Sequence, residues 1–223
     1  MMSKRQKVLG VGIIPLVLVV GFAWAVQSGQ PRPMHAHAAH DGAHAMPGEH
    51  AAHHAAMQSQ GYTVTTERYL VPDVELIDES GSPVALRQLL EGDRPVALDF
   101  IFTTCTTICP VMTATFARMQ QELGESADQL RLVSISIDPE YDRPKVLVAY
   151  AERFHAGPGW TFLTGDGPDI TEVLRSFNSF YGSKMNHQPV TLLKRPDSPS
   201  WIRIDGLASS ADLAHEVQAR LLN

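Results

Sequence analysis

The sequence predicts an α/β protein with a central mixed sheet flanked by helices, and three observations carry that prediction. Two apolar runs of strand length, Pro95 to Phe102 and Leu130 to Ile137, are each followed by a longer stretch with apolar residues at helical spacing. A later pair of short runs, Val190 to Leu193 and Trp201 to Ile204, reads as antiparallel strands. Both cysteines of the chain, Cys105 and Cys109, fall where the first of these runs gives way to its helix.

The whole chain sets the limits. At 223 residues it has room for one sizeable core plus a tail. A formal net charge of -6 leaves no basic field to hold phosphates, which argues against nucleic acid as a partner. Two cysteines are too few for a disulfide scaffold, so their chemistry rather than their number is informative.

Lys4, Arg5 and Lys7 precede an apolar run from Val8 to Val26. That is close to the roughly 20 residues a membrane-spanning helix needs. The basic residues favour a cytoplasmic start. Ala23-Trp24-Ala25 also resembles a signal-peptidase site, so residues 1–26 are read as a membrane anchor or a signal peptide. Either way the body of the protein is expected in the periplasm, tethered to the inner membrane or released, with its thiols facing an oxidising compartment.

Residues 27–61 form a different kind of segment. Seven of the ten histidines lie here (His35, His37, His40, His44, His50, His53 and His54), with Met34, Met46 and Met57 among them. With no branched aliphatic or aromatic side chain between Gln27 and Gln60 to bury, the stretch is predicted to be disordered. It serves as a solvated spacer, and its imidazole and thioether groups also suit a multisite copper trap.

The folded domain is expected over 62–223. Val74 to Leu86 reads as a short hairpin turning at Glu79-Ser80-Gly81-Ser82, and Leu86 to Leu90 as a helical turn. Pro95 to Phe102, apolar throughout apart from Asp99, suits a central strand covered on both faces. Pro110 is placed at the first position of a helix that runs to about Gly124, with Met112, Thr115, Phe116, Met119 and Leu123 on one face. Leu130 to Ile137 is the next strand. Asp142 is then read as the cap of a helix starting at Pro144. Trp160 to Leu163 makes a short strand, Asp169 with Glu172 a capping pair for the following helix, and Ser209 with Asp212 a cap for the last one. This order fits a thioredoxin-like fold, whose ligand sites lie beyond the C-terminal ends of the strands, where Cys105 and Cys109 fall.

A helix N-terminus stabilises thiolate, the form that attacks disulfides and the form that binds soft metals. The Cys-x3-Cys spacing suits a disulfide or a pair of metal ligands, and does not choose between them. A structural zinc site would need four nitrogen or sulfur ligands, and the domain has no second cysteine pair. Copper accepts fewer, with imidazole beside thiolate. Of the three histidines in the domain, His155 and His215 are read as surface residues on helices. His187, in Lys184-Met185-Asn186-His187-Gln188-Pro189 just before a strand, lies in a loop expected to cross beside the cysteines. It is the third-ligand candidate.

The segment Asp99 to Thr113, the run Val133 to Pro144 with its Asp-Pro-x-x-Asp-x-Pro loop, Leu163-Thr164-Gly165 and the late His187 occur in the order found in the Sco/SenC family, which the sequence resembles from about Tyr69 to Leu221. The resemblance implies an exported, thioredoxin-like copper metallochaperone that assists assembly of the copper A centre of cytochrome c oxidase. It implies Cys105, Cys109 and His187 as copper ligands, with Asp138 either behind them or simply ending its strand. Its partners would be copper donor proteins and a copper acceptor such as oxidase subunit II. The sequence departs from the family pattern at three places. Thr106 follows the first cysteine where the family usually has proline, Pro189 resembles the cis-proline facing the cysteines of thioredoxins, and the stretch Lys194 to Ser200 lacks the usual Asp-x-x-Gly turn. The first two keep open a second reading, a thiol-disulfide oxidoreductase acting through Cys105 and Cys109. A peroxidase is the third; Thr103 and Thr104 are available to it, but no arginine is obviously placed.

Overall fold

The computed structural model describes residues 61–223. The apolar run at the N-terminus and the His/Met-rich segment lie outside them. Among the described residues no helix is long and apolar enough to cross a membrane.

Eight strands form one sheet: β1 (Tyr62–Glu67), β2 (Glu75–Asp78), β3 (Pro83–Ala85), β4 (Val96–Ile101), β5 (Arg131–Ser136), β6 (Trp160–Thr164), β7 (Val190–Lys194) and β8 (Trp201–Gly206). Their order across the sheet is β1-β8-β7-β4-β5-β6-β2-β3. The parallel centre is β4-β5-β6, and β7, β8 and β1 continue antiparallel on one side, β2 and β3 on the other. The helices are α1 (Leu86–Leu90), α2 (Ile108–Leu123), α3 (Pro144–Arg153), α4 (Gly167–Ser176) and α5 (Ser210–Val217).

The uninterrupted run in β4 follows from its position. Every residue from Val96 to Ile101 is buried, because side chains alternate between two covered faces. Ala97 and Ile101 join Phe116, Met119, Leu147, Phe162, Leu213 and Val217, the core under α2, α3 and α5. Leu98 and Phe100 join Leu86, Leu90, Ile170 and Val173 under α1 and α4. Fully burying one such side chain is worth roughly 1.5–3 kcal/mol, so the two cores fix the strand register firmly.

Three local expectations are corrected. The helix after the cysteines begins at Ile108 with Thr107 as its N-cap, so Pro110 is its third residue and Cys109 lies inside its first turn. Proline is tolerated there because the first four helical amides lack intrahelical acceptors. Arg143, not Asp142, is the N-cap of α3. The cap of α4 is Asp166, with Pro168 in the first turn and no side-chain capping bond, so the Asp169–Glu172 pair does not form. Ser209 does cap α5, its hydroxyl accepting from the Asp212 amide at 3.1 Å. The strand β1, YTVTTE, was not foreseen as a strand. It pairs along its full length with β8.

Candidate metal and dithiol site

The site forms at the edge of the sheet where β4 and β5 end and β7 begins. Beyond Ile101 the chain turns through Phe102, whose carbonyl accepts from the Cys105 amide at 3.1 Å. Asp142 holds this turn in place. It is fully buried, and its carboxylate accepts from the Thr103 amide (3.0 Å), the Thr103 hydroxyl (2.5 Å) and the Ser136 hydroxyl (2.6 Å). One carboxylate therefore ties the cysteine loop to the end of β5. Its aspartate-before-proline context suggested a cap, and these cross-chain bonds carry no local sequence signal.

The two cysteines are unbridged and differ in character. Burial alone would raise the Cys105 thiol. The Cys109 and Thr107 amides, with the Thr107 hydroxyl (3.6 Å) and the Cys109 thiol, more than offset this and bring it below the ordinary thiol value. Cys109 is fully enclosed. Burial above all, then the neighbouring Cys105 and Asp99, holds it well above the ordinary value despite a bond from the Phe102 backbone. Cys105 thus ionises first and Cys109 stays a thiol. Deeper still, the Thr113 hydroxyl joins the Cys109 carbonyl to the Tyr150 hydroxyl, both at 2.9 Å, pinning the first turns of α2 to α3.

His187 faces the same space from the other loop. A 3-10 turn, Lys184–Asn186, precedes it, and the His187 amide closes that turn on the Lys184 carbonyl at 3.2 Å. The ring is buried, and its Nε2 lies 2.9 Å from the Phe100 carbonyl oxygen. A carbonyl only accepts, so Nε2 carries the proton and Nδ1 carries the lone pair. That Nδ1 is itself buried and has no hydrogen-bond partner. Burial lowers the imidazole below its usual value, and the Phe100 bond only partly opposes this, so the ring is neutral near pH 7. A neutral imidazole with one nitrogen fixed by a carbonyl and the other bare is the form that ligates metals.

Cys105 and His187 line one cavity of about 200 Å³, together with Phe102, Thr106, Lys184 and Met185. Cys109 lies behind Cys105 and not on this wall. Among the described residues no three His, Cys, Asp or Glu side chains already stand close enough to hold one ion. Joining both sulfurs and Nδ1 on one metal therefore requires the two loops to close across the cavity. Asp138 lies on the far side of His187, in an adjoining cavity of about 260 Å³, and pairs with Lys184 at 2.5 Å. It holds the histidine loop through Lys184. His155 and His215 are exposed and distant from the site loops in sequence. The peptide before Pro189 is trans, as are all peptides among the described residues, so Pro189 does not reproduce the cis-proline of thioredoxins. Lys184 and Met185 escaped sequence reasoning, although Met185, 76% exposed at the cavity mouth, carries a thioether two positions before the histidine.

The molecule is thus a mixed α/β protein with Cys105 and a neutral imidazole lining one cavity, and Cys109 behind Cys105, at the C-terminal edge of its parallel strands. The family model described as SCO1/SenC matches residues 50–222, and the chain belongs to that family. It is 38% identical over 114 residues to the SCO1 protein homolog of Bacillus subtilis, covering 50% of this chain and 58% of the relative. The chain spans about half the length of the curated relatives it matches. Among solved structures it resembles BsSco, a member of the Sco family of cytochrome c oxidase assembly proteins in which a disulfide switch was identified. There the TM-score is 0.57 at 30% identity, over 68% of this chain and 93% of that one. It also resembles Arabidopsis thaliana ScoI with copper bound, with a TM-score of 0.56 at 26% identity, over 66% and 94%.

Proposed function

We propose that this protein is a copper metallochaperone that holds copper through Cys105, Cys109 and His187 and passes it by ligand exchange to an acceptor during assembly of the copper A centre of cytochrome c oxidase. The observation that carries the reading is the bare, buried Nδ1 of His187, with its Nε2 bonded to the Phe100 carbonyl, on a residue that lines one cavity with Cys105. Leaving such a nitrogen without a partner costs about 1–3 kcal/mol, which a bound metal would offset. Two thiolates and an imidazole make a soft donor set suited to copper. Binding would draw the second proton from Cys109, since metal affinity drives deprotonation of its ligands. The copper-bound Arabidopsis relative and the oxidase-assembly role of BsSco support the same reading. The basic residues and apolar run at the N-terminus support export, with the domain in the periplasm and the segment serving as an inner-membrane anchor or a cleaved signal.

The test is copper titration of the reduced full chain beside its Cys105→Ser, Cys109→Ser and His187→Ala forms. Each substitution should weaken copper binding by about ten-fold or more. Unchanged affinity in His187→Ala would remove the imidazole from the site.

A second reading, thiol-disulfide exchange, is favoured by the asymmetry of the cysteines. The Cys105 thiolate would attack a partner disulfide and release one partner thiolate. Cys109 would then displace the other, losing its proton to solvent, to leave a disulfide here and two reduced thiols on the partner. A reduction potential less negative than that of such a partner would exclude it, because the dithiol could not then reduce the partner disulfide.

A further inference from the structure

Four soft donors belong to the two site loops, and water reaches them unequally. Met185 is 76% exposed, Cys105 9%, His187 7% and Cys109 0%. The first three line one cavity of about 200 Å³, and Cys109 does not. A copper ion arriving from solvent therefore meets a thioether, a thiol and an imidazole before it can reach the second thiol. Met112 and Met119, the other methionines among the described residues, are buried, so Met185 is the one thioether there that is open to water.

An exposed methionine alone needs no explanation, since isolated apolar side chains are common on surfaces. Met185 differs in its setting, the middle of the turn Lys184–Asn186, whose backbone is held at both ends. The Ser183 hydroxyl accepts from the Met185 amide at 3.3 Å, and the Ser183 carbonyl from the Asn186 amide at 3.0 Å. The side chains on either side of it are also committed. Lys184 pairs with Asp138 at 2.5 Å, and its Nζ lies 5.8 Å from the centre of the Phe102 ring in the cysteine loop. The His187 ring is seated on the Phe100 carbonyl. The unbranched Met185 side chain, with three rotatable bonds and no partner to give up, can follow an ion where those neighbours cannot.

We infer that Met185 is a transient copper(I) ligand, which completes a three-donor set with Cys105 and His187 as copper enters and leaves, and which Cys109 displaces in the loaded state. The inference rests on the copper reading proposed above and adds a step to it. Copper(I) first bonds to the Met185 Sδ, the Cys105 sulfur and the His187 Nδ1, and the Cys105 thiol gives its proton to water. As the two loops close, the Cys109 thiol loses its proton to water, the bond from copper to the Cys109 sulfur forms and the bond to the Met185 Sδ breaks. No electron moves. The direction follows from donor strength, because an anionic thiolate attracts the cation more strongly than a neutral thioether does. Run in reverse, the step returns copper to the mouth of the cavity, where a sulfur or nitrogen ligand of an acceptor can replace the thioether.

X-ray absorption at the copper edge of reduced, copper(I)-loaded full chains tests the step, because it counts sulfur neighbours. Removal of Cys109 should arrest copper at the Met185 stage. Cys109→Ser should therefore keep two sulfur neighbours and one imidazole nitrogen, and Cys109→Ser combined with Met185→Leu should keep only one sulfur. Cys109→Ala gives the same comparison without placing a hydroxyl in the core. Copper titration adds a readout that a merely structural role would not move. Met185→Leu should lower copper affinity about ten-fold in the Cys109→Ser chain and by less than about two-fold in the chain that keeps Cys109. Equal losses in the two chains would overturn the inference, as would one sulfur in Cys109→Ser or two that persist with Met185→Leu, and each would leave the dithiol site standing. A first shell of nitrogen and oxygen alone in the chain that keeps both cysteines would overturn both readings.

Discussion

The Nε2 of His187 donates to the backbone carbonyl of Phe100 across 2.9 Å, and that bond decides which nitrogen of the ring is available to a metal. Phe100 lies on the central strand β4, packed in the core beneath α1 and α4, so the carbonyl is a rigid reference point. His187→Ala should free that buried carbonyl at a cost of about 1–3 kcal/mol in unfolding free energy. Denaturant unfolding of the metal-free chain measures this loss separately from any change in copper affinity. No loss would mean that the ring is not seated on Phe100.

Asp142 should matter to folding more than its loop position suggests. Asp142→Ala leaves the Thr103 amide and the Thr103 and Ser136 hydroxyls without their acceptor. At about 1–3 kcal/mol for each buried unpaired group, the variant should lose roughly 3 kcal/mol or more. Asp142→Asn, which retains one acceptor oxygen, should lose less. Comparison of the two by denaturant titration checks the arrangement.

Asp99 gives the domain a pH signature. Its carboxyl is fully buried, with Oδ1 accepting from the Ser134 hydroxyl at 2.5 Å and Oδ2 without a partner. Burial pushes its pKa up to about 7, against the opposing Ser134 bond. Between the ordinary aspartate value and pH 7 the folded protein keeps a proton that the unfolded chain has released. Stability contributed by this group therefore falls as pH rises through that window, by about 1.4 kcal/mol per unit. Asp99→Asn should remove the slope, so its stability relative to the unaltered protein should improve from pH 5 to pH 7. A difference that stays constant over this range would contradict the assignment.

The two thiols should separate by reactivity. Cys105 lies below the ordinary thiol value and Cys109 well above it, so thiolate at Cys105 persists to lower pH. Iodoacetamide labelling near pH 7, read by peptide mass, should modify Cys105 at least about ten-fold faster than Cys109. In Cys105→Ser the remaining thiol should react slowly while the domain is folded. Equal rates would show that the enclosure of Cys109 is not maintained in solution.

The layered architecture was legible because hydrophobic period reports burial directly. The apolar run of β4, the hairpin of β2 and β3, and the antiparallel β7–β8 pair all appear where periodicity and turn residues put them. The site was legible as a set of residue types, since the sequence contains few soft ligands. Its internal geometry was not. Asp142 looked like a cap because capping is local, whereas its acceptors are used by Thr103, which is 39 residues away. Pro110 looked like a first helical residue because its fixed φ suits any position of the first turn. The tautomer of His187 depends on Phe100, 87 residues distant, and no sequence pattern encodes such a pair. Strand β1 has no buried residue and only Tyr62 and Val64 as apolar positions, so it gave little periodic signal. Pairing with β8 makes it a strand.

The central claim is that copper bridges the dithiol and the imidazole. X-ray absorption at the copper edge of the reduced, copper(I)-loaded full chain tests it most directly. The account predicts two sulfur neighbours and one imidazole nitrogen, with the imidazole multiple-scattering signal lost in His187→Ala and kept when His50, His53, His54 and Met57 are replaced. A first shell of nitrogen and oxygen alone, or an imidazole signal that survives in His187→Ala, would contradict it.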